Sequence, residues 1–142
     1  MPRGRSRLAD ADTINVLIVD DDPLVREGLR TLLALDQSLR VVGEAANCAD
    51  ALRQTEACHP DVVLLDLELT ADRGFGLLGE LRRRGLAVIA LAVYPGGDAD
   101  ALTAGACCYL LKDAPRQTLL AAVRAAYHRG CVDPPAGPAT DP

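Results

Sequence analysis

Five short runs of almost unbroken apolar character mark the chain: Ile14–Val19, Arg40–Glu44, Val62–Leu65, Ala87–Val93 and Cys107–Leu111. None alternates apolar with polar positions as a strand with one wet face does. Runs of this kind suit parallel strands covered on both faces. Between them the apolar spacing changes to that of helices. The first helix opens with Asp22-Pro23, an N-cap followed by proline at the first helical position, and its stripe Val25, Leu29, Leu32, Leu33 follows i, i+4, i+7, i+8. The second has Asn47 as cap with Asp50 three residues on and stops before Pro60. The third is expected after Gly74, presenting Leu77, Leu78 and Leu81, and ends at Gly85. The fourth is confined between Gly97 and Gly105, about two turns. The fifth starts near Asp113-Ala-Pro115 and carries Leu119, Val123, Ala126 and Tyr127.

Strand and helix thus alternate five times. Parallel neighbours joined by right-handed helical crossovers give an α/β doubly wound sheet with helices on both faces. The expected architecture is flavodoxin-like, five parallel strands in the order 2-1-3-4-5. Its ligand crevice lies at the carboxyl ends of strands 1 and 3. The expected domain spans residues 13–130. Residues 1–12 and 131–142, polar or rich in Pro, Gly and Ala, are expected to be tails, the second being a linker start if more chain follows.

At 142 residues this is the size of one domain. A net charge of -5 argues against a duplex-binding surface, since affinity for nucleic acid rests on neutralising phosphates. The basic cluster Arg3, Arg5, Arg7 is most simply a solvated arm. No apolar run reaches the ~18 residues of a membrane span and no signal-peptide core is visible, so a cytoplasmic location is expected. The five cysteines (Cys48, Cys58, Cys107, Cys108, Cys131) lack metal-ligand spacing and are expected mostly as small buried apolar residues. His59 and His128 have no partners for catalysis and fit surface positions. Gly96-Gly97 is too short to cradle phosphate.

The chemistry lies at the strand ends. Strand 1 runs into Asp20-Asp21-Asp22, strand 3 into Asp66 and strand 5 into Lys112. Asp22 alone is better explained as an N-cap, and Asp61 and Asp113 as turn or cap residues. The convergence of Asp20, Asp21, Asp66 and Lys112 from three strands is not explained in that way. Like charges this close are costly unless a cation neutralises them or a pKa rises. An all-oxygen set without His or Cys suits Mg²⁺, which keeps several waters and leaves room for a phosphoryl oxygen. With Lys112 as a fixed positive charge, the set can receive a phosphoryl group on a carboxylate.

The runs VLIVDDDPLVREGLRTLL, VVGEA, DVVLLDLEL and GACCYLLKD resemble response-regulator receiver domains of two-component systems, over about Ile14 to Gly130. The YLLKD ending is similar to receivers that precede a LuxR-type helix-turn-helix. The resemblance implies Asp66 as phosphoacceptor, Asp21 as direct Mg²⁺ ligand and Asp20 as one acting through water. It also implies the main-chain carbonyl of Glu68 as metal ligand, Lys112 on the phosphoryl group and Tyr109 as the rotating switch aromatic. The implied partner is a sensor histidine kinase, with a homodimer as a further candidate assembly. The protein is then a switch, not a metabolic enzyme, which catalyses only its own phosphorylation and dephosphorylation. It regulates transcription through a C-terminal domain absent here or through a partner. Neither membrane nor nucleic-acid contact is expected of this segment.

Two departures bear on switching. Ala92 stands where the family usually has Thr or Ser at the end of strand 4, and the stretch from Ala92 to Gly105 is short. Thr70 stands where Pro is common. They keep open an alternative reading, a phosphorylation-independent pseudo-receiver that serves only as an interaction module. A small phosphatase with an aspartate nucleophile is a further rival, because Glu68 follows Asp66 by two residues. The chain lacks an insertion large enough to cap such a site.

Overall fold

The computed structural model describes residues 13–69 and 73–130. Thr70, Cys131, the arginines at 3, 5 and 7, and both expected tails lie outside the described residues. The elements are β1 (Ile14–Val19), α1 (Pro23–Leu33), β2 (Leu39–Ala45), α2 (Cys48–Cys58), β3 (Val62–Asp66), α3 (Arg73–Arg83), β4 (Ala87–Ala92), α4 (Asp98–Ala104), β5 (Cys108–Leu111) and α5 (Arg116–Arg129). Strand and helix alternate throughout, and the sheet is parallel in the expected order β2-β1-β3-β4-β5.

Alternation of side chains along each strand explains the unbroken apolar runs. Leu17, Val19, Val63, Leu65, Val88 and Ala90 point to one face, against Ala51 of α2, Leu77, Leu78 and Leu81 of α3 and Ala101 of α4. Their neighbours Val16, Ile18, Val62, Leu64, Ile89 and Leu91 point to the other, against Leu33 of α1 and Leu119, Val123 and Ala126 of α5. Both faces are dry, so every position in β3 is buried. Each such aliphatic side chain contributes about 1.5–3 kcal/mol relative to an exposed one.

The local signals hold at most helix starts. The Asp22 side chain accepts from Leu24 N at 2.9 Å and that of Asn47 from Asp50 N at 2.8 Å. His59, exposed, ends α2 with a left-handed φ of 51°, and α4 is the expected short helix of seven residues. Two expectations need correction. α3 begins at Arg73, before Gly74, because glycine is there for close approach: a Cβ on it would lie 2.5 Å from the Leu67 carbonyl oxygen. Asp113 lies in the turn before α5, one of the two roles expected of it, and the N-cap is Pro115 without a side-chain hydrogen bond. Cys107 is disulfide-bonded, whereas Cys48, Cys58 and Cys108 form no disulfide and are half-buried. Among the described residues no helix is long and apolar enough to cross a membrane.

Two glycines of α3 should separate on substitution. Gly74→Ala is expected to lower stability by roughly 1–3 kcal/mol through overpacking. Gly76→Ala, with nothing within 4 Å of its Cβ position, should gain up to about 1 kcal/mol of helix propensity. Urea unfolding of both variants checks this, and equal effects would place the Leu67 contact wrongly.

Candidate functional site

Sheet register delivers the polar side chains to one place. Val19 of β1 pairs with Leu65 of β3, so Asp20 and Asp66 come next on adjacent strands. Ala92 of β4 pairs with Leu111 of β5, so Lys112 follows at the same edge. Asp20 and Asp66 are 1% and 2% exposed, which makes them the buried acids among the described residues. Lys112 Nζ lies 2.9 Å from Asp20 Oδ2 and 3.1 Å from Asp66 Oδ1. Asp21 is exposed, yet its carboxylate, one oxygen of Asp20 and one of Asp66 fall within 4.8 Å of one another.

Each acid is held by backbone. Asp20 Oδ1 accepts from Asp22 N at 2.9 Å, and Asp20 N donates to Ala45 O of β2 at 3.0 Å. Asp66 Oδ1 accepts from Glu68 N at 2.9 Å. The Asp21 side chain has no hydrogen bond or ion pair among the described residues, which leaves its oxygens available to a cation.

Burial pushes the Asp66 carboxyl above the ordinary carboxylate range; the Lys112 ammonium and the Glu68 N–H pull it down without cancelling that, and Asp20 adds to the rise. For Lys112 burial opposes the charge, but the bonds to Asp20 and Asp66 outweigh it and raise its pKa. One ammonium therefore pairs with two carboxylates, and Asp21 brings a third negative charge beside them. The hard-oxygen set fits a small divalent cation with an open coordination position, and Asp20, Asp21 and Asp66 could hold it.

A match to the response regulator receiver domain model over residues 16–124 decides the family. The chain belongs to the response-regulator receiver family. Its curated relatives include the nitrate/nitrite response regulator NarP of Escherichia coli K12. That protein is 40% identical over 122 residues, which are 83% of this chain and 57% of NarP. The transcriptional activator DevR/DosR of Mycobacterium tuberculosis is 39% identical over 78% of this chain and 53% of its own length. The chain thus spans little more than half of these relatives. Among solved structures, the signal receiver domain of the response regulator NarL from Mycobacterium tuberculosis superposes with a TM-score of 0.74. The two are 35% identical, over 82% of this chain and 98% of that one. The chain is the receiver domain of a two-component response regulator with LuxR-type homologues, a signalling switch and not a classical enzyme.

The other residues singled out in the receiver sequence fall around this crevice. Ala92, 2% exposed, ends β4, and its carbonyl accepts from Lys112 N at 2.8 Å. Tyr109 is half-buried and its hydroxyl donates to Tyr94 O at 2.5 Å. It packs over Gly97, where a Cβ would lie 3.1 Å from the hydroxyl oxygen.

Two contacts have little or no signal in the sequence. Arg26 of α1 reaches back to donate from Nη1 to Asp20 O at 2.7 Å and from Nε to Glu44 Oε1 of β2 at 3.2 Å, bracing the acidic turn. Its only sequence signal is its place one helical turn after Asp22. The Glu68 carboxylate accepts from Val93 N at 3.3 Å, a contact across two loops with no sequence signature.

The raised Asp66 pKa carries a sign. Its charged form is disfavoured in the fold, so the protonated form stabilises. That contribution is full below the unfolded pKa and is lost as pH rises through the folded one. Asp66→Asn removes the buried charge while Asp20 still pairs with Lys112. It should raise the urea midpoint at pH 7 and narrow its gap to wild type as pH falls towards 4. A variant less stable than wild type at pH 7 would contradict the electrostatic reading.

Proposed function

We propose that the receiver accepts a phosphoryl group from a sensor histidine kinase onto Asp66, with Mg²⁺ as the required ion. The observation that supports this is the convergence of Asp20, Asp21 and Asp66 on one spot, with Lys112 shared between Asp20 and Asp66. An Asp66 carboxylate oxygen attacks phosphorus and the bond from phosphorus to the donor's leaving atom breaks. The electron pair leaves with the donor, and an aspartyl phosphate forms. Water later breaks the new P–O bond, which restores Asp66 and yields inorganic phosphate. Lys112 meets the charge on the phosphoryl oxygens, at the cost of loosening its pair with Asp66. Asp21 and Asp66 would hold the ion directly, with the Glu68 carbonyl as a third protein ligand and Asp20 acting through water. Bound there, the ion supplies charge neutralisation and a template for a phosphoryl oxygen.

The same reading takes residues 13–130 as the receiver and the flanking 1–12 and 131–142 as tails or linker. It places the protein in the cytoplasm and gives it an output in transcription. That output runs through a DNA-binding domain, either on the same polypeptide or on a partner, and a homodimer is a candidate active form. The pseudo-receiver reading draws support from two observations, the buried methyl of Ala92 and the bond that already ties Tyr109 to Tyr94.

With Mg²⁺ and acetyl phosphate, intact mass should show one labile phosphoryl adduct that Asp66→Asn abolishes. Unmodified wild type under several donors would move the assignment to the pseudo-receiver. Metal titration followed by amide shifts should show weak Mg²⁺ binding, weakened more by Asp21→Asn than by Asp20→Asn. Equal losses would mean the direct and water-mediated roles are misassigned.

A phosphoryl group biases a conformation only through contacts that differ between its states. Ala92 removes one such donor, worth about 0.5–1.5 kcal/mol. Beryllofluoride, a phosphoryl mimic, should therefore perturb the β1, β3 and Lys112 amides but move Tyr109 and α4 little. Ala92→Thr should strengthen the response at Tyr109. A wild-type response as large as the variant's would sink this prediction.

A further inference from the structure

Backbone alternation at the end of β4 assigns a second function to Glu68. The Leu91 carbonyl faces β3, accepting from Leu67 N at 2.9 Å, and the Ala92 carbonyl faces β5, accepting from Lys112 N at 2.8 Å. In a strand, successive peptide groups point to opposite sides. The Val93 N–H accordingly returns to the β3 side, where Asp66 lies. With alanine at 92 no hydroxyl stands beside it, so this N–H is the donor that β4 presents to an anion on Asp66. In this structure the donor is already taken, by Glu68 Oε1 at 3.3 Å. The hold is local, because Glu68 N is at the same time bound to Asp66 Oδ1 at 2.9 Å.

We propose that the Glu68 carboxylate acts as an internal gate, occupying the Val93 N–H until a phosphoryl oxygen on Asp66 displaces it. Carboxylate and phosphoryl oxygens are both anionic acceptors, and one N–H directed at the crevice serves one of them well. Displacement is easy because Glu68 is exposed and its carboxylate returns to water at little cost. The gate also adds a fourth negative charge at a crevice with one ammonium, which disfavours an incoming phosphoryl donor. Glu68 is in this sense a positioning residue: it acts through Val93 and takes no part in bond making. The inference deepens the reading of Asp66 as acceptor and rests on it.

The test uses the full chain with Glu68→Ala and Glu68→Gln, both at an exposed side chain. Without any donor, the Val93 amide proton should move upfield in Glu68→Ala as it loses its acceptor, and less in Glu68→Gln, which keeps a neutral one. Beryllofluoride should bring the Val93 amide to a common position in all three proteins. Phosphorylation by acetyl phosphate with Mg²⁺ should be faster in Glu68→Ala by roughly three- to tenfold, the range of one hydrogen bond. Part of that gain should survive about 1 M salt, where simple charge repulsion is screened. A Val93 amide indifferent to Glu68, a gain abolished by salt, or equal rates with adduct formed would each overturn the gate alone. Absence of adduct in every variant would overturn the acceptor reading itself, and the gate with it. The Val93 shift between wild type and Glu68→Ala would still report whether the contact exists.

Discussion

Two buried carboxylates on neighbouring strands share one ammonium, and the rest of the site depends on that arrangement. Asp20 and Asp66 sit at the carboxyl ends of β1 and β3, nearly free of solvent, with Lys112 between them. Buried like charges are tolerated only with a compensating cation, and a single lysine balances one of the two. Asp21, exposed at the rim, adds a third. The surplus of negative charge is the driving force for taking up a divalent cation. Burial holds Asp66 above the ordinary carboxylate range, and the neighbouring Asp20 charge adds to that rise. The fold contributes the placement. Parallel order and register bring three strand ends together, and Arg26 and Glu44 brace the turn that carries the acids.

Around this centre the chain departs from the common receiver pattern at one wall. The end of β4 offers a methyl and a backbone N–H in place of a hydroxyl. The N–H is covered by Glu68, and the loop beyond it is tied down by Tyr109 through the Tyr94 carbonyl. These features act on the same short stretch from Ala92 to Gly97. Under the proposed function they bear on the conformational response to phosphoryl transfer, or on its ease, and leave Asp20, Asp21, Asp66 and Lys112 in place. In that proposal the receiver chemistry and the coupling of that chemistry to shape fall to different residues.

Much of this is legible in the sequence, because the relevant constraints are local or come from topology. Strands covered on both faces must be continuously apolar, so β1, β3 and β4 stand out and the sheet order can be inferred from them. Once the order is known, Asp20, Asp66 and Lys112 fall together without further information. Contacts between loops are not legible. The reach of Arg26 to the Asp20 carbonyl and of Glu68 to Val93 depends on side-chain rotamers and loop paths that no periodicity encodes. Gly74 reads as a boundary because glycine usually ends or precedes a helix. Its actual constraint is the backbone of Leu67 packed against it. The bond at Cys107 is hidden for a similar reason, since an odd set of cysteines without spacing gives no pairing.

The central claim is chemical: of the crevice carboxylates, Asp66 is the nucleophile. Borohydride reduction after treatment with acetyl phosphate and Mg²⁺ tests it directly, because it reduces an aspartyl phosphate to homoserine, with release of phosphate, at the site of modification. Peptide mass mapping should find homoserine at position 66 and at no other carboxylate. Reduction at Asp20, Asp21 or Glu68, or at none of them, would contradict the account.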